Sequence, residues 1–218
     1  MLPRLDIPEG PVPPGGHPLV VALHGHGENG TRFARLLGLE ASGPFATLYP
    51  TAPHTITAQG RDGPRDGSSW YTYIGDAAAL LAELARAENH LLETLRAATQ
   101  GQPVNLQRSV LLGHSQGGYL ASFTALRNRN FFRGLVAISC RVKTEVLTEE
   151  IAAAPGYPIL CIHGKRDRSV LPEPQIEEVE RLKEAGLDVR LHLHDRGHGV
   201  RPETGSIVRE FAAEVLAR

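Results

Sequence analysis

The sequence predicts an α/β protein: a mostly parallel central sheet with helices on both faces. Three observations predict it. Short apolar runs recur along the chain, each ending in Gly or a polar cluster. Most of these runs do not alternate apolar with polar, which suits strands buried on both faces. Between them lie helical patterns, with apolar residues three or four apart. Strand and helix alternate throughout, and right-handed crossovers then place helices on either side of the sheet.

The elements follow in order. The first 18 residues are rich in Pro and Gly and read as an irregular lead-in, with a short edge strand around Arg4–Ile7. Leu19–Leu23 and Ala46–Tyr49 read as buried strands. Residues 53–70 fall outside the rhythm. Pro53–Trp70 holds Gly60, Gly63, Gly67 and several charges without a clear period, and reads as a long active-site loop. Its part Arg61–Trp70 is expected to form a mobile rim. Gly75–Thr99 carries Leu80, Leu84, Ala87, Leu91 and Leu95 at helical spacing, with Gly101 as a stop. Ser109–Leu112 reads as a strand and Gln116–Arg127 as the helix after it. Leu135–Ser139 and Pro158–Ile162 are strand runs. Glu173–Ala185 is helical through Ile176, Val179 and Leu182, with Gly186 just beyond. Val189–His194 is the last strand, and Ser206–Ala217 closes the chain as a helix. No repeat and no long linker divides the chain, so residues 1–218 read as one domain.

Composition narrows the function. With 218 residues and 41% hydrophobic content, a sizeable core needs no staples. Lys+Arg number 23 against 24 Asp+Glu, a net charge of −1. That balance excludes a nucleic-acid partner held by counterion release, and a polybasic membrane anchor. No apolar run reaches the ~18 residues of a membrane span. The start, MLPRLDIPEG, has no apolar signal core. The expectation is a cytoplasmic protein. Cys140 and Cys161 are too few for a disulfide scaffold and read as small buried hydrophobes.

One motif carries chemistry. Gly113-His114-Ser115-Gln116-Gly117 matches G-x-S-x-G, with a strand running in and a helix running out. Such a turn is so tight that flanking side chains would clash, hence Gly113 and Gly117. Gly118 would let the helix pack close to the strands. The Ser115 hydroxyl would project at the carboxyl edge of the sheet, where open α/β folds bind ligands. A serine hydroxyl needs a base, held in turn by a third group. After Ser115, Asp167 follows the strand Pro158–Ile162 and His198 follows Val189–His194, the chain order Ser, Asp, His. His198 would move the proton, and Asp167 would hold its tautomer. Asp195 is a rival acid in the same loop as His198. His163, His192 and His194 are rival bases. Backbone amides of Gln116 and His26, the latter in the Gly-rich turn His24-Gly25-His26-Gly27, are placed to form an oxyanion hole. His24 reads as a buried loop brace. The pairs His24-x-His26 and His192-x-His194 lack converging ligands, so neither a metal nor another cofactor is expected.

Together these residues resemble the phospholipase/carboxylesterase family of small α/β-hydrolases, which includes acyl-protein thioesterase-like enzymes. The resemblance runs from Val20 to His198. It rests on Leu23-His24-Gly25-His26-Gly27, Ser69-Trp70-Tyr71, Gly113-His114-Ser115-Gln116-Gly117-Gly118, His163-Gly164 with Asp167, and Gly197-His198. It implies an α/β-hydrolase fold without a large cap, and hydrolysis of carboxylic esters or thioesters with medium or long acyl chains; the expected activity is that of a serine carboxylesterase on small or lipid-like acyl substrates through an acyl-serine. It implies that the Trp70 segment flanks the site, and Trp70 and His114 are expected to contact substrate. His114 stands where Phe is common, and His26 where an apolar residue is usual. These polar changes favour a shorter or more polar acyl pocket. The expected partner is a small-molecule ester or thioester, and the chain is expected to be a monomer or homodimer. Lactone, amide or peptide hydrolysis is the alternative chemistry, and a non-catalytic binding protein on the same fold is the alternative class.

Overall fold

The computed structural model describes residues 3–39, 44–60, 63–72 and 75–218. Met1 and Leu2 of the expected lead-in, and Arg61 and Asp62 of the expected rim, lie outside them. The strands are β1 (Arg4–Asp6), β2 (His17–Leu23), β3 (Ala46–Tyr49), β4 (His54–Gly60), β5 (Gly63–Ser69), β6 (Val104–His114), β7 (Phe132–Ile138), β8 (Pro158–Gly164) and β9 (Asp188–His194). The helices are α1 (Gly30–Leu37), α2 (Ala77–Thr99), α3 (Gln116–Arg127), α4 (Thr148–Ala152), α5 (Pro172–Glu184) and α6 (Thr204–Ala217). A 3₁₀ turn, Thr144–Val146, precedes α4.

The main sheet has the order β1-β3-β2-β6-β7-β8-β9. Only β1 runs antiparallel to its neighbour, at the edge; the other pairings are parallel. Every residue of β2, β3 and β8 is buried, as unbroken apolar runs require. Successive side chains point to opposite faces, so each strand feeds two apolar layers. Leu19, Val21, Leu23, Leu111, Leu135 and Ile159 face one layer with Leu84, Leu91 and Leu95 of α2, Leu120 of α3 and Leu182 of α5. Val20, Ala22, Val110, Leu112, Val136 and Ile162 face the other, with Phe33 and Leu37 of α1 and Val208, Phe211 and Val215 of α6. Among the described residues, no helix is long and apolar enough to cross a membrane.

The structure corrects the reading of residues 53–70. The segment expected as an aperiodic loop is a hairpin, β4 paired antiparallel with β5 from His54↔Ser69 to Gly60↔Gly63. Its strands pair with each other outside the main sheet and are half covered, so polar residues tolerate most positions. Thr55-Ile56-Thr57-Ala58 does alternate, with Ile56 and Ala58 half-buried and both Thr exposed. The described end of the expected rim is hydrogen-bonded to the turn after β2. Gly27 N–H donates to Ser68 O at 2.9 Å, and Ser68 N–H donates to Glu28 O at 2.9 Å. Helix α1 was not apparent either. It has eight residues, a side-chain cap from Asn29 to Arg32 N–H, and a left-handed Gly38 end.

Candidate active site

The parallel strands β2, β6, β8 and β9 deliver their carboxyl ends to one edge of the sheet, and the four predicted site loops leave from there. At the end of β6 the chain turns sharply into α3. Ser115 sits at φ 51°, ψ −118°, left-handed backbone that a non-glycine residue adopts at a cost of roughly 1–3 kcal/mol. The surroundings hold it there: Ser115 N–H donates to Ile138 O at 2.9 Å, and Ser115 O accepts from Gly118 N–H at 2.8 Å. A Cβ on Gly113 would run into the Gly117 carbonyl, and one on Gly117 into the His24 carbonyl. A Cβ on Gly118 would meet Cys140 Sγ. The glycines are thus required by close approach, as the motif implied.

The loops after β8 and β9 are stitched together. Lys165 N–H donates to His194 O and Arg166 N–H to Arg196 O, each at 2.9 Å. This brings Asp167 Oδ2 within 2.7 Å of His198 Nδ1. The other carboxylate oxygen, Oδ1, accepts from the amides of Ser169 at 2.9 Å and Val170 at 3.0 Å. Burial disfavours the Asp167 carboxylate, but the Val170 amide, His198 and the Ser169 amide outweigh it and hold the group below the ordinary carboxylate range. With Nδ1 engaged by a carboxylate, His198 carries its proton there and leaves Nε2 to accept. The His198 ring lies 5.0 Å, centroid to centroid, from His114, the neighbour of Ser115.

The rivals separate by geometry. Asp195 is exposed and pairs with Lys165 at 2.9 Å, not with His198. His163 is fully buried; its Nε2 lies 2.9 Å from Val170 O and 3.4 Å from Asp167 Oδ2. A carbonyl only accepts, so His163 donates and braces the acid loop. His192 and His194 are half-buried along β9. His24 is the brace expected: Ala52 N–H donates to its Nε2 at 3.0 Å, so Nδ1 carries the proton and donates to Gly25 O at 2.7 Å. Burial lowers its pKa to about 4 against the Gly25 bond, with His26 adding to the fall. Cys140 and Cys161 are buried and free, with burial pushing both thiols up.

The two amides predicted for an oxyanion hole belong to segments next to the serine. Gln116 opens α3, so its N–H points along the helix axis out of the N-terminus. The turn after β2 comes so close that a Cβ on Gly25 would lie 3.5 Å from Ser115 Cβ. His26 follows in this turn with an exposed side chain, and its amide has no partner among the described residues.

Trp70 and His114 do not line the cavity at the serine. Trp70 is 2% exposed; its indole N–H donates to His24 O at 2.8 Å, and its ring tilts against His24 at 5.0 Å. It is a strut beneath the site. His114 stacks on Phe33 at 6.2 Å and abuts His198. Burial, reinforced by His198, lowers its pKa to about 3, so it stays neutral.

The cavity at Ser115 has a volume of about 300 Å³ and is lined by Tyr71, Leu80, Ser115, Gln116, Tyr119 and Lys143. Tyr119 was open to prediction, since it lies four residues after Ser115 on the same helical face. Lys143 was not, because the stretch after β7 carries no periodic signal. A larger cavity of about 500 Å³ lies between the hairpin, the Asn29 cap of α1 and α2, and no predicted catalytic residue lines it.

The phospholipase/carboxylesterase family model matches residues 14–216. Among solved structures, the chain is similar to esterase PE8, with 27% identity, TM-score 0.75, and 97% of this chain and 99% of that one covered. Acyl-protein thioesterase 2 from Zea mays aligns at 22% identity and TM-score 0.74, covering 98% of each chain. The Bacillus cereus carboxylesterase aligns at 16% identity and TM-score 0.71, covering 98% of this chain and 93% of that one. The last two likenesses concern the fold alone.

Proposed function

This chain belongs to the phospholipase/carboxylesterase family, and on that premise we propose that it is a serine carboxylesterase acting on esters or thioesters through an acyl-Ser115 intermediate. The observation that carries the reading is the 2.7 Å His198–Asp167 hydrogen bond at the sheet edge where Ser115 is held at positive φ. Ser115 Oγ attacks the ester carbonyl carbon while His198 Nε2 takes its proton. Asp167 stabilises the imidazolium that forms. The amides of Gln116 and His26 receive the developing oxyanion, a contribution of about 3–4 kcal/mol for a single donor in comparable sites. The tetrahedral adduct collapses, and His198 returns the proton to the departing alcohol or thiol. Water, deprotonated by the same imidazole, then attacks the acyl carbon and releases the acid and free Ser115.

Three variants test the roles. Ser115→Ala should abolish turnover of activated esters. Asp167→Asn should lower kcat by up to about 10⁴-fold, because the imidazole loses the partner that fixes its tautomer. Asp195→Asn should change little, since its partner is Lys165 at the surface. A Ser115→Ala variant with wild-type turnover, or a larger loss at Asp195 than at Asp167, contradicts the assignment.

A further inference from the structure

The cavity beside Ser115 has a direction. Its lining includes Ser115 and Gln116 but none of His198, His114 or Asp167. A leaving group must depart toward the acid that protonates it, here His198. The cavity therefore extends away from the leaving-group side, and the acyl part of the ester occupies it. About 300 Å³ bounds the acyl part at roughly ten heavy atoms, terminal group included, at ~30 Å³ each.

The chemistry of the wall is specific. Leu80 and the rings of Tyr71 and Tyr119 supply apolar surface near the serine. Lys143 is the single charged residue among the described ones lining the cavity. Its Nζ lies 5.8 Å from the Tyr119 ring centroid, so the ring face orients the ammonium. Its acidic neighbour is Glu145, 3.8 Å away. The Glu145 carboxylate is already engaged by Arg141, at 2.5 Å and 3.0 Å. Arg141 in turn bonds the buried Glu178 at 2.9 Å. The Lys143 charge is thus only loosely compensated within the protein, and it faces the space an acyl chain enters.

We propose that Lys143 is a specificity-determining residue and that the acyl substrates are short chains carrying an anionic group, such as a carboxylate, at their far end. This rests on the acyl-Ser115 reading above. The test compares 4-nitrophenyl hydrogen adipate with its methyl-capped diester, which has the same chain without the charge. In each, water adds across the aryl ester C–O bond, releasing the acid and 4-nitrophenolate, which is followed by absorbance after subtracting the uncatalysed rate. The wild-type enzyme should favour the acid by about fivefold or more in kcat/KM, mainly through KM. The preference should shrink as salt is raised. Lys143→Met should bring the ratio of the two substrates to about one, and Lys143→Arg should retain a preference. Because each variant is read as a ratio of two substrates, partial misfolding cancels. A wild-type preference for the diester, or a preference that survives Lys143→Met, overturns the proposal while leaving the esterase reading intact. Turnover of neither substrate overturns both.

Discussion

His24 and His114 are neutral for one physical reason and serve two purposes. His24 is buried and His114 half-buried with its Nε2 shut off from solvent, and burial lowers their pKa values to about 4 and about 3. His24 spends its two nitrogens on Ala52 and Gly25 and so shapes the turn that carries the His26 amide. His114 presents an uncharged ring to His198, which leaves Asp167 as the charged neighbour that matters to the base. The pH dependence of stability follows. In the unfolded chain both rings titrate near 6.5. Below that pH the unfolded state binds protons that the folded state refuses, so stability is full above about 6.5 and falls as pH falls. Each ring contributes a slope of up to about 1.4 kcal/mol per pH unit until its folded pKa is reached. His194 shifts the same way through burial and Arg201. Asp167, held low, adds its loss only below the ordinary carboxylate range. Urea midpoints measured from pH 7 to pH 4.5 should therefore decline, and His114→Phe should flatten the decline by about one proton's worth. An unchanged slope in that variant would show that His114 titrates freely in the folded state.

Among the elements, the hairpin β4–β5 is the part that joins the turn after β2 to the start of α3. Ser68 exchanges backbone hydrogen bonds with Gly27 and Glu28. Gly67 lies so close to that turn that a Cβ there would strike the Gly27 carbonyl. Just past β5, Trp70 N–H donates to Gln116 Oε1 at 3.0 Å, and Gln116 Nε2 donates to Tyr71 O at 2.8 Å. One carboxamide therefore ties the start of α3 to the end of the hairpin, while the backbone N–H of the same residue is the proposed oxyanion donor. Gln116→Ala keeps that amide and removes the tie, leaving the buried Trp70 N–H without its acceptor, while Tyr71 O keeps the Ser69 hydroxyl at 2.8 Å. It should lower stability by about 2 kcal/mol and the melting temperature by roughly 4–8 °C, and reduce kcat without abolishing it. A melting temperature equal to wild type would mean that the hairpin is held without Gln116.

At the scale of the whole molecule, the legible parts are those where one physical demand dominates. Strands buried on both faces are mostly apolar, and β2, β3 and β8 announce themselves that way, with His17, Thr47 and His163 the buried polar exceptions. A tight turn at a strand end needs glycines, so the elbow was plain. The loops that carry Asp167 and His198 are brought together because parallel strands send all their carboxyl ends to one edge. The illegible parts answer to several demands at once. The hairpin is half-covered and polar, and α1 is only two turns long. Trp70 read as a substrate contact because its motif flanks the site, yet its indole is turned inward to His24. Lys143 reaches the cavity from the aperiodic stretch between β7 and α4, where spacing says nothing about direction. This assembled edge is proposed to activate Ser115. Covalent labelling with a fluorophosphonate, read by intact mass and peptide mapping, reads that activation. A single adduct on Ser115 that disappears in His198→Ala is expected. Folded wild-type protein that takes no label, or takes it at another residue, contradicts it.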